Sequence, residues 1–275
     1  MTDHALAAGL ATEAGRLLLG LRAKRGFADP RALKDAGDRA SHDYLVAALN
    51  AQRPGDAVLS EEGMDDAARL EAERVWIVDP LDGTREFGED GRSDWAVHVA
   101  LWERGELAAG AVALPAQGKT LGTLGTGGAE ILDEHTAEEI PLTMADRPLA
   151  DRVRVAVSRT RPPEFVQRLA ERLEQEVELV PIGSAGAKIA AVLLGEVDAY
   201  IHAGGQYEWD SAAPAAVALA AGAHASRIDG SALAYNQKDL ELPDILVCHP
   251  VLAPTLLAGI RSVTLPDELS GERKS

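Results

Sequence analysis

The sequence predicts an α/β protein built from two halves, an α+β half followed by an α/β half. Helical periodicity comes first in the chain and gives way to strands that alternate or pair through short turns. After the midpoint, strands and helices alternate, which is typical of an α/β sheet. Pro141 and Pro148 bracket a polar connector between the two patterns. We therefore place a boundary near residue 148, which divides the chain into residues 1–148 and 149–275.

The first half is predicted from the spacing of its apolar residues. Apolar residues at helical spacing indicate two opening helices, whereas short β-branched or alternating runs indicate strands. A short strand, a polar helix and three further strands follow the helices. In chain order these elements are residues 4–21, 41–51, 57–59, 65–74, 75–78, 95–102 and 107–114. The glycine-rich residues 118–129 are typical of edge strands and turns.

The second half is predicted as three strand–helix units and a late strand. The units begin with a strand and helix at residues 154–157 and 163–175. The remaining elements are strand 177–180, helix 185–194, strand 199–201, the helical run 211–222 and strand 245–248. We expect the polar tail, residues 270–275, to be disordered.

Composition limits the partners and the compartment. A net charge of −17 disfavours nucleic acid and anionic membranes as partners, because both need basic patches. Such acidity would also repel a phosphorylated substrate unless bound cations reverse the local field. The lone Cys248 lies in an apolar run, so we expect a buried strand residue and no disulfide. Without a signal-peptide pattern at the N-terminus, a reducing cytoplasm is the expected location.

The segment 75–84 reads Val-Trp-Ile-Val-Asp-Pro-Leu-Asp-Gly-Thr and is the most informative stretch of the chain. It carries Asp79 and Asp82 where a strand runs into a Gly-Thr turn. Mg²⁺ is commonly held by one or two carboxylates and keeps positions open for phosphate oxygens. A glycine also lets backbone N–H groups approach an anion. The segment predicts a metal-assisted phosphate site; the alternative is a turn in which the two acids only bond nearby N–H groups.

Acidic residues at two other places can complete such a site. Glu61 and Glu62 follow the strand 57–59, and Asp210 precedes the helical run 211–222. Each place has a simpler alternative, in which Ser60 or Asp210 is only a helix N-cap. Taken together, acids at three strand ends or helix starts predict one site at the junction of the two halves, where ligand sites are common.

Other chemistries find little support. The seven histidines form no His-Glu-x-x-His pair, and no Cys/His cluster indicates zinc. There is no Gly-x-Ser-x-Gly segment typical of a serine hydrolase. Residues 183–188 read Gly-Ser-Ala-Gly-Ala-Lys, which has the wrong spacing for a nucleotide-triphosphate loop.

Three ordered motifs together resemble the inositol monophosphatase superfamily of Mg²⁺-dependent, lithium-sensitive phosphatases. The motifs are Ser60-Glu61-Glu62, residues 76–87, and Trp209-Asp210-Ser211-Ala212-Ala213. The resemblance extends through essentially the whole chain.

One branch of that superfamily is the most similar. Asp82-Gly83-Thr84-Arg85-Glu86-Phe87 resembles the CysQ branch, the 3′-phosphoadenosine 5′-phosphate phosphatases. Gly183-Ser184 followed by Lys188 is also similar to that branch. Residues 204–210 suggest its actinobacterial type.

The resemblance implies a layered αβαβα sugar-phosphatase fold with an antiparallel sheet in the first half and a smaller mixed sheet in the second. It also implies a ligand set for two or three Mg²⁺ ions. The implied ligands are Glu61, Asp79, the main-chain carbonyl of Leu81, Asp82 and Asp210.

The resemblance further implies roles in catalysis. Thr84 would orient and help deprotonate the attacking water, with Asp38 behind it, and the Gly83 and Thr84 amides would hold the phosphate. The family usually has a threonine three residues before the acid matched to Asp38, whereas this chain has Asp35.

Substrate contacts are expected from the metal ligands themselves, except Asp79, and from several further residues. The further residues are Gly83, Thr84, Arg85, Ser184, Lys188 and Trp209. Lys188 could equally be a solvated helix residue, and Trp209 a packing residue.

The implied reaction is hydrolysis of a phosphomonoester on a small molecule. The preferred substrate is 3′-phosphoadenosine 5′-phosphate, a by-product of sulfate activation. The alternatives are inositol 1-phosphate or fructose 1,6-bisphosphate, or a non-catalytic protein that binds a phosphorylated ligand. A homodimer is the candidate assembly.

Overall fold

A seven-stranded sheet forms the first half of the molecule in the computed structural model, which describes residues 1–145, 147–149, 151–160, 162, 164–173 and 175–263. Its strands follow chain order, with β1 and β2 parallel and all later neighbours antiparallel. The strands are β1 (Ala57–Ser60), β2 (Arg74–Asp82), β3 (Ala96–Glu103), β4 (Glu106–Leu114), β5 (Lys119–Thr123), β6 (Ala129–Asp133) and β7 (Glu138–Leu142).

A smaller mixed sheet of five strands lies in the second half. Its order is β11-β12-β10-β8-β9; β8 is parallel to both of its neighbours, and β12 is antiparallel to both of its own. The strands are β8 (Val153–Ser158), β9 (Val177–Ile182), β10 (Ala199–Ala203), β11 (His224–Ser226) and β12 (Asp244–Cys248).

Seven α-helices of the described chain separate and cover the two sheets. They are α1 (Asp3–Arg25), α2 (Pro30–Gln52), α3 (Thr84–Phe87), α4 (Glu164–Arg172), α5 (Ala185–Leu194), α6 (Glu208–Ala220) and α7 (Ala253–Val263). The pair α1 and α2 covers the outer face of the first sheet, α5 and α6 lie between the sheets, and α4 and α7 cover the outer face of the second sheet. The predicted αβαβα layering and the two sheet types are confirmed.

The alternation of side chains along β2 explains why the first sheet is buried on both faces. Trp76 and Val78 pack with α1 and α2, whereas Val75 and Ile77 pack with α5 and α6. Successive strand residues point to opposite faces, so a continuous apolar run is expected where helices cover both. The late strand is confirmed too: Cys248 is buried in β12, and burial raises its thiol pKa to about 12.

Two predictions about the first half were wrong. The polar helix predicted at 65–74 is only a 3₁₀ turn (Ala67–Glu71), because the Arg69 side chain is buried and donates to Asn236 Oδ1 at 2.6 Å and to the Gln237 carbonyl at 2.8 Å. The second helix begins at Pro30, eleven residues before its predicted start. Its start signal was Asp29, whose carboxylate caps the helix by accepting from Ala32 N.

Other elements agree with the sequence to within a few residues. Helix α5 has the predicted bounds, whereas β2 continues past the predicted Val78 to Asp82. Strands β6, β7 and β11 and helix α7 were not predicted, and Pro141 lies in β7 instead of in the connector. Residues 163 and 174 of the helix predicted at 163–175, and the tail 270–275, lie outside the described residues. The division near residue 148 remains a prediction. Among the described helices, none is both long enough and apolar enough to cross a membrane.

Candidate active site

The end of β2 turns sharply and carries two buried acidic residues, Asp79 and Asp82. Pairing of β2 with β3 shifts register between Asp79 and Asp82, which bends the strand there. Gly83 follows with φ +85°, and a Cβ at this position would lie 3.0 Å from Ser184 Cβ. Glycine is therefore required both for the backbone angle and for the close approach of the second half of the chain. Helix α3 begins directly afterwards, at Thr84.

Asp79 and Glu61 meet because β1 and β2 are parallel neighbours. Glu61 N donates to the Val78 carbonyl at 3.3 Å, and the Glu61 and Asp79 carboxyl groups are hydrogen-bonded. Burial and the charges of Glu61, Asp82 and Asp210 raise the pKa of Asp79 well above its usual value. Removal from water and neighbouring acids raise the pKa of Glu61 to about 7. Ser60 ends β1 and caps no helix, so that alternative for Glu61 was wrong.

Asp82, unlike Asp79, is surrounded by hydrogen-bond donors, because it lies at the N-terminus of α5. Its carboxylate accepts hydrogen bonds from Ser184 Oγ, from Ala185 N at 3.2 Å and from Gly186 N at 2.6 Å. His98 Nε2 lies 3.2 Å away. Burial alone would raise the pKa of Asp82, but these donors stabilise its charge and lower the pKa to about 2.

His98 has a hydrogen-bond partner at one ring nitrogen and an acidic neighbour at the other. Nδ1 lies 3.0 Å from the Trp209 carbonyl, while Nε2 faces Asp82. Burial lowers the pKa of His98, but Asp82 more than offsets this and raises it. Asp79, Asp82 and His98 each place a potential ligand atom within 4.8 Å of the others. Since Nδ1 bonds the Trp209 carbonyl and Nε2 lies at ion-pair distance from Asp82, we assign His98 to the support of Asp82 and not to metal binding.

Asp210 comes from the second half of the chain. It is the third residue of α6, and its Oδ2 accepts from Tyr207 N at 2.7 Å. The helix starts two residues earlier, at Glu208, so the alternative that Asp210 is the N-cap was wrong. Burial and the charge of Asp82, followed by that of Glu61, raise the pKa of Asp210 to about 7.

Thr84 and Asp38 lie together beside these acids. Thr84 Oγ1 is 3.0 Å from the Leu81 carbonyl and 3.4 Å from Asp38 Oδ1. Burial and the charge of Glu62 raise the pKa of Asp38 to about 7. Asp35, one turn earlier on α2, is exposed. The structure therefore brings Asp38, and not Asp35, to the threonine.

The residues fit a bound divalent cation. Asp79 is buried and Asp210 half-buried, and neighbouring carboxylates raise the pKa of both: Glu61, Asp82 and Asp210 act on Asp79, and Asp82 and Glu61 act on Asp210. A divalent cation would neutralise that repulsion. Carboxylates and carbonyls are the hard oxygen ligands that Mg²⁺ prefers. Glu61, Asp79, the Leu81 carbonyl, Asp82 and Asp210 are the residues that would hold it.

A cavity of about 280 Å³ adjoins this acidic cluster. Most of the predicted substrate contacts border it, namely Asp82, Gly83, Thr84, Arg85, Ser184, Lys188 and Asp210. Glu61, Leu81 and Trp209 do not border it. Trp209 stacks on Tyr207 with ring centroids 5.0 Å apart and packs against the core, which fits the packing alternative.

Lys188 and Ser184 do more than face the cavity. Lys188 is buried, so the alternative of a solvated helix residue was wrong; its ammonium donates to the Gly183 carbonyl and lies 5.2 Å from the centre of the Tyr200 ring. Burial lowers the pKa of Lys188. Ser184 caps α5 by accepting from Ala187 N at 2.9 Å. Both side chains thus hold the turn that faces Asp82.

Sequence reasoning missed four residues of this site: His98, Arg159, Tyr200 and Gln206. His98 and Tyr200 lie inside strands, where the apolar pattern predicts only packing. Arg159 borders the cavity and pairs with Glu86 at 2.8 Å, a contact between segments 73 residues apart. Gln206 lies in the linker between β10 and α6. The signal for it was its place in the segment 204–210, four residues before Asp210.

Comparisons with known proteins identify relatives of the whole chain. Residues 4–265 match the model of the inositol monophosphatase family. The chain is 52% identical over 272 residues to the 3′-phosphoadenosine 5′-phosphate phosphatase of Mycobacterium leprae, covering 96% of this chain and 95% of that protein. It is 32% identical over 209 residues to the 3′(2′),5′-bisphosphate nucleotidase CysQ of Escherichia coli K12, covering 74% and 80%. The crystal structure of CysQ from Bacteroides thetaiotaomicron, 28% identical, superposes with a TM-score of 0.76 over 90% of this chain and 97% of that one.

Proposed function

The chain belongs to the inositol monophosphatase family, and we propose that it hydrolyses the 3′-phosphate of 3′-phosphoadenosine 5′-phosphate to give AMP and phosphate. The reaction depends on two or three Mg²⁺ ions, and its substrate is a by-product of sulfate activation. The name of the Mycobacterium leprae relative supports this choice of substrate.

One observation carries the proposal: a single cavity has an acidic border and a cationic border. Asp82 and Asp210 lie on the acidic border, while Arg85, Arg159 and Lys188 lie around the rest, where Glu86 pairs with Arg159 and leaves a net positive charge. A substrate with one phosphate needs only the first border. A nucleoside 3′,5′-bisphosphate presents a second phosphate, for which the cationic side chains provide the complementary charge.

The reaction assigns a separate task to each group. Bound Mg²⁺ would neutralise the phosphate, lower the pKa of the attacking water and stabilise the leaving alkoxide. Thr84 Oγ1 accepts a proton from the attacking water and passes its own towards Asp38 Oδ1, 3.4 Å away. The Leu81 carbonyl, 3.0 Å from Thr84 Oγ1, orients the hydroxyl. The Gly83 and Thr84 amides hold the phosphate for in-line attack, with no phosphoenzyme.

A substrate panel tests the proposal. The kcat/KM values for 3′-phosphoadenosine 5′-phosphate, inositol 1-phosphate and fructose 1,6-bisphosphate are measured side by side with Mg²⁺. We expect the nucleotide to exceed inositol 1-phosphate by about tenfold or more, a difference of roughly 1.4 kcal/mol in transition-state binding. A preference for inositol 1-phosphate would overturn the substrate and leave the phosphatase assignment standing. Binding of phosphorylated ligands with no turnover would instead support a regulator.

Metal dependence is tested separately. Activity should vanish after exhaustive chelation and return with Mg²⁺, and Li⁺ should inhibit. Ca²⁺ should fail to support turnover, because it prefers more ligands at longer distances. Full turnover after chelation would contradict the role assigned to the acidic cluster.

A further inference from the structure

Gln206 has a buried side-chain amide in which the nitrogen is hydrogen-bonded and the oxygen is not. It borders the cavity, and its exposed fraction is 6%. Its Nε2 donates to Tyr200 Oη at 2.8 Å, whereas its Oε1 is buried with no hydrogen-bond partner. Most buried polar atoms are paired, so an unpaired acceptor beside a cavity indicates a group that a ligand completes.

The position of Gln206 is fixed by its surroundings. The linker between β10 and α6 bends through Gly204 and Gly205, at φ +90° and +70°. Its backbone is tied to the next loop, because Leu242 N donates to the Gln206 carbonyl at 3.0 Å. Tyr200 is fully buried, so its hydroxyl fixes the orientation of the amide. The unpaired oxygen is therefore held in place before any ligand arrives.

The unpaired Oε1 of Gln206 determines which ligand groups could bind there. A carbonyl oxygen accepts from N–H or O–H groups and repels phosphate oxygens, so it does not suit either phosphate of the substrate. Gln206 and Asp210 border the same cavity from the linker and from the first turn of α6. A nucleotide whose 3′-phosphate lies at the acidic border can therefore extend its base towards the linker.

We propose that Gln206 is a specificity-determining residue that accepts a hydrogen bond from the 6-amino group of adenine. The inference rests on the proposed function, because it presupposes a nucleoside bisphosphate in this cavity. Hypoxanthine and guanine carry a carbonyl oxygen at the same position, which would face the Gln206 oxygen without a proton between them. The site should reject both bases for that reason.

Replacing one substrate group tests the inference without any mutation. The kcat/KM of wild-type protein is measured for 3′-phosphoadenosine 5′-phosphate and for 3′-phosphoinosine 5′-phosphate, which differ in the amine and the adjacent ring proton. We expect the inosine nucleotide to be slower by about tenfold or more. A ratio near one would overturn the role of Gln206 while leaving the phosphatase intact.

Two substitutions then assign the preference to this side chain. Gln206→Met removes the acceptor at similar size and should bring the ratio close to one, whereas Gln206→Glu keeps an acceptor and should retain the preference for adenine. Gln117→Met is the matched control, since Gln117 lies outside the cavity and donates to the Ser93 carbonyl at 3.2 Å. A wild-type ratio retained by Gln206→Met would contradict the proposal. Wild-type protein that prefers inositol 1-phosphate to either nucleotide would instead overturn the proposed function itself.

Discussion

The acidic end of the cavity and the linker end differ in how their polar groups are satisfied. At the acidic end, Asp79 and Asp210 lie close enough to other carboxylates that their pKa values rise. At the linker end the groups are mostly neutral, and Tyr200 and Gln206 pair with each other. One end is thus incomplete without a cation, and the other without a hydrogen-bond donor. The excess of negative charge suits a metal ion that every substrate would need. The unpaired acceptor suits a base that only some substrates carry.

The same contrast exists within the acidic end, between two aspartates three residues apart. Asp82 accepts hydrogen bonds from the start of α5 and faces His98, so its charge is stabilised by the protein. Within the described part of the chain, Asp79 accepts a hydrogen bond from Leu81 N alone, at 3.0 Å, and its other close neighbours are acids. The two residues should therefore respond differently to the same substitution.

The largest expected effect comes from replacing each aspartate with asparagine. Both Asp79→Asn and Asp82→Asn should lower kcat on the order of 10³-fold or more, because each removes the charge of a proposed metal ligand. In metal-free protein, Asp82→Asn should also lower the free energy of unfolding by about 3 kcal/mol, since it leaves His98 without its buried partner. Asp79→Asn should leave that free energy unchanged or raise it, because it removes like-charge repulsion. Activity assays and urea denaturation measure the two effects.

The same two variants also distinguish the interpretation of a metal site from that of a simple turn. Near-normal kcat in Asp79→Asn would favour the interpretation in which the acid only bonds Leu81 N. Equal stability losses in both variants would remove the contrast between the two environments. Losses of activity from the two substitutions should not add in the double variant, since both groups act on one site.

The grouping of acids at the end of β2 could be predicted because it is local, whereas the residues that support it could not. Asp79, Asp82 and Gly83 lie within five residues, so their order alone indicates a strand, two acids and a turn. His98 and Gln206 reach the site only through sheet pairing and the packing of α6, which one sequence does not encode as a pattern. The prediction of a helix at 65–74 was wrong for the same reason, namely contacts with residues distant in sequence. Its polar composition fits a helix, but Arg69 is buried by contacts 167 and 168 residues away.

The next effect is a pH dependence of stability that Mg²⁺ should suppress. Asp38, Glu61 and Asp210 have pKa values of about 7 in the folded, metal-free protein, above those of the unfolded chain. The folded state then binds more protons between about pH 4 and 7, so stability falls as pH rises through that window and levels off above it. Thermal unfolding with chelator should show Tm falling by several degrees from pH 5 to 7.5.

Saturating Mg²⁺ provides the comparison for that profile. A bound cation favours the ionised acids, so Tm should be higher and much less dependent on pH across the same window. Parallel profiles with and without Mg²⁺ would argue against a cation among these carboxylates. Asp82, with a pKa of about 2, should contribute only at acidic pH, where its stabilisation is lost as pH falls.

A smaller effect tests how closely α5 must approach β3. A Cβ at Gly186 would lie 2.0 Å from His98 Nε2, so Gly186→Ala must displace the helix or the imidazole. We expect a loss of about 1–3 kcal/mol in the free energy of unfolding, together with lower kcat. Gly9→Ala is the matched control. A Cβ added at Gly9, in α1, would have no atom within 4 Å, and this variant should gain about 0.5–1 kcal/mol. A neutral Gly186→Ala would mean that Asp82 does not depend on this contact.

The smallest effect is expected at Trp209, which lies next to Asp210 in sequence but outside the cavity. Its ring stacks on Tyr207, and only its carbonyl contacts the site, through His98 Nδ1 at 3.0 Å. Trp209→Phe keeps that carbonyl and an aromatic ring, so it should cost about 1 kcal/mol of stability and leave KM for the nucleotide essentially unchanged. A selective rise in KM for 3′-phosphoadenosine 5′-phosphate, with none for inositol 1-phosphate, would show that the base lies against Trp209. The adenine contact would then have to move from Gln206 in the linker to Trp209 in the first turn of α6.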